Sequence, residues 1–122
     1  MILSNIYKGL FWGTVFAVLV LSLLPLSVPA LDLFSWQDKV HHFIAHGVLC
    51  FLAIKAYGES RSIWTIGLSL VAFGLGLEIA QSITGYRFGD PLDLLANTLG
   101  IITVAILHLV QSVNYDFCLS GK

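Results

Sequence analysis

Charge is what this sequence lacks most. Only 11% of its 122 residues are charged, six Lys or Arg and seven Asp or Glu, whereas about a quarter of the residues of a soluble domain are charged. So few charged side chains cannot cover a water-exposed surface, and 57% of the residues are hydrophobic. The net charge of −1 gives no basis for binding nucleic acid. We therefore expect a single integral membrane domain, residues 1–122, without a separate soluble domain.

Several kinds of site are missing as well. Cys50 and Cys118 lie far apart, which predicts no disulfide, and no C-x-x-C spacing offers a metal site. The sequence has no P-loop, no G-x-S-x-G nucleophile, no H-E-x-x-H zinc motif and no Rossmann glycine fingerprint. We expect no cofactor and no ATP-driven activity.

Long apolar runs are present instead, each near the ~20 residues that a helix needs to cross a bilayer. Strands exposed to lipid would leave backbone groups unpaired, so we predict an all-α bundle of four transmembrane helices. These are Ile6–Leu26, Val40–Tyr57, Ile63–Ile83 and Leu92–Val110. Lys8 and Val28-Pro29-Ala30 weakly resemble the flanks of a signal peptide, but the first run is long for one and predicts a retained span. The residues from Gln111 are predicted to form a short mixed tail.

The basic residues are unevenly distributed between the two ends of these spans. Four fall on the side of the N-terminus and two on the other side: Lys8, Lys55, Arg61 and Lys122 against Lys39 and Arg87. Because cytoplasmic loops carry the excess of Lys and Arg, this distribution predicts that both termini are cytoplasmic.

Polar side chains in and beside the spans gather at the end away from the N-terminus. Ionisable groups in hydrocarbon are costly, so such a cluster is a functional-site hypothesis. The residues occupy one stripe on each of three helices at one depth, which predicts that the stripes meet. The candidate ligand-binding residues are Asp38, Lys39, His42, His46, Glu78, Gln81, Arg87, Asp93 and Asn97. We predict that His42, Glu78 and Asn97 surround one pocket and that Arg87 closes its outer mouth.

His42 is the first candidate for chemistry. Asp38 precedes it by one helical turn and could bond to the imidazole, fixing its tautomer and raising its basicity. Alternatively, Asp38 caps the helix and the histidines are interfacial. His42 and His46, four residues apart, could share a metal ion. Other His or Cys ligands are too few at this depth, however, so we predict no metal site.

Glu78 and Arg87 allow two interpretations. A glutamate inside a span must be neutral or paired. As a functional residue, Glu78 would exchange a proton or bind a cationic or hydroxyl-bearing group, and Arg87 beside helix starts would bind phosphate or carboxylate. In the structural interpretation Gln81 bonds across helices, Asp90 caps the fourth helix, and Arg87 pairs with Glu78 or with Asp90.

Glycines predict close helix packing at two places. Gly9-x-x-x-Gly13 in the first span is expected to contact a neighbouring helix of the same chain. Asn97 and Gly100 are expected to pack closely in the fourth span, with Asn97 bonding to Glu78 or Gln81.

Taken together, these motifs resemble the VanZ-like family of bacterial membrane proteins. The resemblance runs from about Leu19 to Ala105 and is carried by Asp38-Lys39-x-x-His42-Phe43, Glu78-x-x-Gln81, Arg87 and Asp93-x-x-x-Asn97-Thr98-x-Gly100. His46 departs from the pattern, since the family usually has tyrosine there. The family is named for a component that raises resistance to the lipid-bearing glycopeptide teicoplanin, and most members have no established activity. The resemblance implies a multi-pass protein of the bacterial cytoplasmic membrane.

Three functions fit these residues. The first is an outward-facing polar pocket that binds the head group of an envelope lipid, a lipid-linked precursor or a lipoglycopeptide. The second is an intramembrane enzyme acting on such a lipid, with His42 and Glu78 as acid and base and Arg87 holding phosphate. The third is a structural or assembly factor in which every polar residue is merely paired. The sequence leaves the reaction open, and also whether the protein forms a homo-oligomer.

Overall fold

Four helices account for nearly all of the described chain. The structure, a computed structural model, describes residues 1–24, 36–85 and 89–120. The helices are α1 (Ile2–Leu23), α2 (Gln37–Tyr57), α3 (Ile63–Thr84) and α4 (Pro91–Ser120), and these described residues contain no strand. Each helix is long and apolar enough to cross a membrane. The predicted all-α bundle of four transmembrane helices is confirmed.

The main difference from the predicted spans lies at the end of α4. This helix continues to Ser120 instead of ending at Val110, so the predicted mixed tail from Gln111 is wrong. Residues 111–120 contain neither Gly nor Pro, and nothing in their sequence stops a helix. With 30 residues, α4 is about 45 Å long at ~1.5 Å per residue, longer than α2 with its 21 residues.

Local signals set the ends of α3 and the start of α4. The backbone N–H of Thr65 donates to the Ser62 hydroxyl at 3.2 Å, which caps α3 at its start. Gly85 ends α3 with a φ of 78°, a left-handed conformation that glycine adopts without strain. At α4, the N–H of Leu92 donates to Asp90 Oδ1 at 2.9 Å, so Asp90 caps the helix as predicted.

The apolar core lies along α2, which contacts all three other helices. Its buried residues come from α2, α3 and α4: Leu49, Cys50, Ala53, Ile54, Ile66, Leu70 and Ile101. α1 contributes no buried residue and lies at the edge of the bundle. Its partly buried Phe11, Val15 and Val18 pack against the core. The Trp12 indole N–H donates to the Tyr57 hydroxyl at 2.9 Å, joining α1 to the end of α2.

Two glycines allow α2 and α4 to touch through their backbones. A Cβ on Gly100 would collide with the carbonyl oxygen of Phe43 and lie 3.2 Å from the backbone nitrogen of Gly47. A Cβ on Gly47 would lie 3.6 Å from the Gly100 oxygen. Small residues of this kind permit close helix approach in membranes. We call this contact the α2–α4 crossing. It sets the relative orientation of the two helices, and therefore how the polar residues that precede Gly47 on α2 and Gly100 on α4 face one another.

The other predicted glycine contact is wrong. A Cβ on Gly9 or Gly13 would meet no atom of the described residues within 4 Å. α1 turns Phe11, Val15 and Val18 toward the bundle, and both glycines lie on the opposite face of the helix. The G-x-x-x-G motif of α1 therefore packs against none of the other helices described.

The crossing generates a stability prediction. Gly100→Ala should lower the free energy of unfolding by about 1–3 kcal/mol, because the new methyl group must push α4 away from α2. Gly76→Ala is the matched control, since a Cβ there would meet no described atom within 4 Å. The control should be unchanged or stabilised by up to about 1 kcal/mol through its better helix propensity. Thermal unfolding in detergent measures both, and equal stability of the two variants would contradict the close crossing.

Candidate functional site

Polar side chains from α2, α3 and α4 meet at one end of the bundle. The cluster uses the start of α2, the end of α3 and the start of α4. Its buried members are His46, Glu78, Gln81, Asp93 and Asn97. The three polar stripes inferred from helical phase therefore do converge, and they turn away from the lipid-facing surface.

Lys39 joins α2 to the start of α4. Its Nζ donates to Asp90 Oδ2 at 2.7 Å and to Asp93 Oδ1 at 2.8 Å. The Asp93 side chain is only 6% exposed, so water hardly solvates its carboxylate. The ammonium group of Lys39 balances the charge of this buried carboxylate. Sequence reasoning included Lys39 in the site but predicted neither of these partners.

Asp90 is tied both to Lys39 and to its own helix. The hydrogen bond from Lys39, and then that from the Leu92 N–H, hold the pKa of the Asp90 carboxyl below its ordinary 3.8. A carboxyl whose pKa is lowered by folding stabilises the protein above its unfolded pKa. This contribution is present at neutral pH and is lost as the pH falls below about 3.8 toward the lowered value.

His42 lies at the centre of the cluster. Its Nδ1 is 3.0 Å from Asn97 Oδ1, and since an amide oxygen only accepts, Nδ1 carries the proton. Its Nε2 lies 3.6 Å from Asp93 Oδ2 and 3.9 Å from Asp38 Oδ1. Glu78 Oε1 lies 3.9 Å from Nδ1. His42 therefore has a carboxylate on each side and an amide that orients its ring.

One predicted partner in this region is wrong, and one hydrogen bond that the sequence allowed is not formed. At 3.9 Å the Asp38–His42 contact is longer than a hydrogen bond, so Asn97 and not Asp38 fixes the tautomer. The oxygen of Asn97 bonds to His42, whereas Glu78 or Gln81 was expected. The predicted convergence of His42, Glu78 and Asn97 is nevertheless observed.

Glu78 and Gln81 extend from α3 toward different neighbours. Glu78 Oε2 accepts the backbone N–H of Asp90 at 3.1 Å, which connects the end of α3 with the start of α4. Gln81 donates from Nε2 to the Ser22 carbonyl oxygen at 3.0 Å. Gln81 thus bonds across helices, as in the structural interpretation, and its partner is on α1. Arg87 lies outside the described residues, so its ion pair with Glu78 and its place at the pocket mouth stay predictions.

A metal ion would have one set of donors among the described residues. Asp38, His42 and Asp93 offer ligand atoms that all lie within 4.8 Å of one another. His46, the partner that spacing suggested for His42, belongs to a different environment one turn deeper. Its ring is buried, and its Nδ1 lies 3.3 Å from the His42 carbonyl oxygen.

Two cavities lie beside the cluster. An apolar groove of about 670 Å³ runs between α2 and α4 and is lined by Trp36, Lys39, Val40, Phe43, Leu92, Leu95, Ala96 and Leu99. A cleft of about 250 Å³ lies between α1 and α2 and is lined by Val18, Leu21, Ser22, Asp38, His41, His42, Ala45 and His46. We call these the α2/α4 groove and the α1/α2 cleft. The polar cluster therefore borders membrane-facing openings on two sides.

Comparison with known families agrees with this arrangement. The family model described as VanZ/LLP1 matches residues 2–111, which include α1, α2, α3 and most of α4. The chain belongs to the VanZ/LLP1 family. The predicted resemblance is thereby confirmed, and the matched region contains every candidate site residue. Neither a curated protein nor a solved structure matches the chain.

Sequence reasoning missed three features of this VanZ/LLP1 site. The sequence suggested Arg87 as the partner of Asp90, and the ion pair of Asp90 with Lys39 was missed. The Ser22 carbonyl is a backbone group, which no side-chain motif reveals. Gly74 has no side chain that a polar motif could include, yet a Cβ there would lie 3.1 Å from polar atoms of both His46 and Asn97.

The Lys39 ion pairs generate the prediction for this site. Lys39→Met keeps the length of the side chain but leaves the buried Asp93 without its cation, so it should lower the free energy of unfolding and the melting temperature. Lys55→Met, on an exposed position of the same helix, is the matched control and should change little. Adding Asp93→Asn to Lys39→Met should restore part of the loss in detergent-based thermal unfolding. An unchanged Lys39→Met protein would show that the pairs contribute nothing to stability.

Proposed function

We propose that this protein binds a membrane amphiphile, with its apolar chain in the α2/α4 groove and its head group at the polar cluster. The ligand would be an envelope lipid, a lipid-linked precursor or a lipoglycopeptide. One observation carries the proposal: Lys39 lines the apolar groove, while its ammonium group lies 2.7 and 2.8 Å from the carboxylates of the cluster. Apolar and ionic surfaces therefore adjoin at a single residue.

The shape and chemistry of the groove support an acyl or prenyl chain as its occupant. Apart from Lys39, every residue lining it is apolar or aromatic. Its volume of about 670 Å³ lies within the ~300–1,000 Å³ typical of ligand pockets. Trp36 stands at the same end as Lys39, where an amphipathic ring suits the membrane interface.

The polar end offers groups that recognise a head group. Asp38 is about half exposed and His42 is partly accessible. Both line the α1/α2 cleft, whereas Lys39 lines the α2/α4 groove, so a head group would meet Asp38 and His42 from the cleft and Lys39 from the groove. Carboxylate, imidazole and ammonium groups side by side suit a head group that carries both donors and acceptors of hydrogen bonds.

A second function is favoured by the surroundings of His42. A histidine with one nitrogen oriented by an amide and the other facing carboxylates resembles a general acid–base site. In this alternative the protein would convert the same bound lipid, with His42 and Glu78 exchanging protons. Chemical identification of the lipid recovered after incubation distinguishes the two, because a binding protein returns it unchanged.

The distribution of basic residues supports one orientation of the protein in the membrane. Lys8 and Tyr57 are in contact, 5.8 Å from ammonium to ring centre, which puts the start of α1 beside the end of α2. Lys55 and Arg61 belong to the same end, whereas Lys39 belongs to the other. Lys122 and Arg87 lie outside the described residues. We infer that both termini are cytoplasmic and that the cluster faces the outer leaflet of the bacterial cytoplasmic membrane.

Reporter fusions test this topology. Alkaline phosphatase needs disulfides and is active only outside the cytoplasm, so a fusion after Lys122 should be inactive. A fusion after Gly89, between α3 and α4, is the positive control and should be active. The reverse pattern would place the polar cluster on the cytoplasmic side and would contradict its proposed location in the outer leaflet.

A groove-filling variant tests lipid binding. Leu99→Trp adds bulk inside the α2/α4 groove and should weaken binding of phosphatidylglycerol by at least about tenfold, equivalent to ~1.4 kcal/mol. Leu109→Trp is matched, since Leu109 lies on the same helix with the same 47% exposure but does not line the groove. It should bind as the unaltered protein does. Native mass spectrometry of delipidated protein titrated with the lipid measures both, and equal affinities would refute the groove as the binding site.

A further inference from the structure

One nitrogen of His42 faces two carboxylates at distances that a hydrogen bond does not explain. Nε2 lies 3.6 Å from Asp93 Oδ2 and 3.9 Å from Asp38 Oδ1, whereas a charge-assisted N–H···O bond is about 2.7–2.9 Å long. His42 Nδ1 donates to Asn97 Oδ1 at 3.0 Å, so in the neutral ring Nε2 presents a lone pair. A lone pair and two anionic oxygens therefore face one point, which is the arrangement that a cation stabilises.

The spacing of these atoms matches that of ligands around one metal ion. Bonds of about 2.1–2.2 Å put two ligands of an ion roughly 3.0–4.4 Å apart, depending on the angle between the bonds. The distances of 3.6 and 3.9 Å from His42 Nε2 both fall in this range. Asp38, His42 and Asp93 offer ligand atoms that all lie within 4.8 Å of one another. The pair of carboxylates therefore needs at most a small rotation of the Asp38 side chain, which is 52% exposed.

Two of these three side chains are already oriented by other groups. Asn97 accepts the proton of His42 Nδ1 and thereby turns Nε2 toward the carboxylates. Lys39 Nζ donates to Asp93 Oδ1 at 2.8 Å, while Asp93 Oδ2 faces His42. Histidine ligands of metals usually donate their other ring N–H in this way, and ligating carboxylates are themselves hydrogen-bonded. The His42 and Asp93 side chains are only 10% and 6% exposed, so their neighbours hold them in position without an ion.

Charge and helical spacing also favour a cation at this point. Asp38, Asp90 and Asp93 together carry three negative charges at neutral pH. Lys39, which donates to Asp90 and Asp93, carries one positive charge. A divalent ion would balance the other two. Asp38 and His42 are four residues apart on α2 and so lie on one face of the helix, as ligand pairs on helices do.

We propose that Asp38, His42 and Asp93 bind one divalent transition-metal ion, Mn²⁺ or Zn²⁺. Carboxylate oxygens suit Mn²⁺ and imidazole nitrogen suits Zn²⁺, whereas Ca²⁺ takes oxygen ligands. The sequence predicted no metal site because His and Cys ligands are too few at this depth, and the structure supplies carboxylates from α2 and α4 instead. Three protein ligands leave coordination positions open. Asp38 and His42 line the α1/α2 cleft, from which water or a phosphate oxygen can fill them.

Titration of delipidated full-length protein with Mn²⁺ in an uncharged detergent tests the site. We expect one bound ion per chain, and pulsed electron paramagnetic resonance should show the ¹⁴N modulation of a coordinated imidazole. Zn²⁺ should displace the Mn²⁺, because sites of this kind bind Zn²⁺ more tightly, whereas an equal concentration of Ca²⁺ should not. Absence of binding, or bound Mn²⁺ without imidazole coordination, overturns the proposal. Displacement by Ca²⁺ as effective as that by Zn²⁺ overturns it too, since carboxylates alone would then hold the ion.

Two neighbouring histidines provide matched variants. His42→Gln should weaken Mn²⁺ binding by at least about tenfold and remove the imidazole modulation, because a ligand is lost. His41→Gln is the control, since His41 is exposed and lines the same cleft but does not belong to the ligand set. It should change neither the affinity nor the spectrum. Asp38→Asn alters an exposed ligand and should also weaken binding, so the test remains available if His42→Gln does not fold. Equal affinities of the two histidine variants would contradict the site.

The metal site and the proposed lipid binding fail independently, because all three ligands belong to the protein. Mn²⁺ that binds to lipid-free protein with an imidazole signal supports the site whether or not the groove binds phosphatidylglycerol. Mn²⁺ that binds only after phosphatidylglycerol is added, and without an imidazole signal, is held by the lipid phosphate and overturns the site. Leu99→Trp should weaken lipid binding but leave the affinity for Mn²⁺ unchanged, since Leu99 lines the groove and offers no ligand.

Discussion

Charged and amide side chains inside a bilayer need partners within the protein, because the hydrocarbon offers none. One end of this bundle is organised by that requirement. Lys39 stabilises the buried Asp93, Asn97 orients His42, and Glu78 accepts the N–H of Asp90. Every one of these contacts joins two different elements of the fold. The same contacts therefore hold the helices together and assemble the candidate site.

The backbone contact at Gly47 and Gly100 makes this pairing possible. Helices of a membrane protein gain little from apolar burial, since lipid chains are as apolar as leucine, and they associate through close packing and hydrogen bonds. Here α2 and α4 supply both, in adjacent turns. α1 has no buried residue and is joined to the bundle mainly by partly buried side chains and by bonds such as that from Gln81 to Ser22. The α2/α4 groove is lined by apolar residues and Lys39, whereas the α1/α2 cleft is lined by apolar residues together with Asp38, His41 and His42.

Much of this architecture is predictable from the sequence, and the limit of prediction has a physical cause. Hydropathy identifies the four spans, and the 3.6-residue period identifies the polar stripes, because both depend only on local sequence. The hydrogen-bond partners of the polar side chains depend instead on how the helices cross. Asn97 meets His42 because Gly100 allows α4 to approach α2, whereas spacing alone pointed to Glu78 or Gln81. The extension of α4 past Val110 was missed for a different reason. Hydropathy identifies the residues that can lie in lipid, but a helix can continue beyond those residues.

Membership of the VanZ/LLP1 family leaves the ligand open, but one departure from the family pattern connects sequence and structure. The resemblance expects tyrosine where this chain has His46. In this chain the residue is 1% exposed, and its Nδ1 lies 3.3 Å from the His42 carbonyl oxygen. A phenol reaches further from the backbone than an imidazole, and a Cβ on Gly74 would already lie 3.1 Å from His46 Nε2 and from Asn97 Nδ2. A tyrosine there would therefore need α3 or α4 to move, so the histidine is matched to the close approach of Gly74 and Asn97 in this chain.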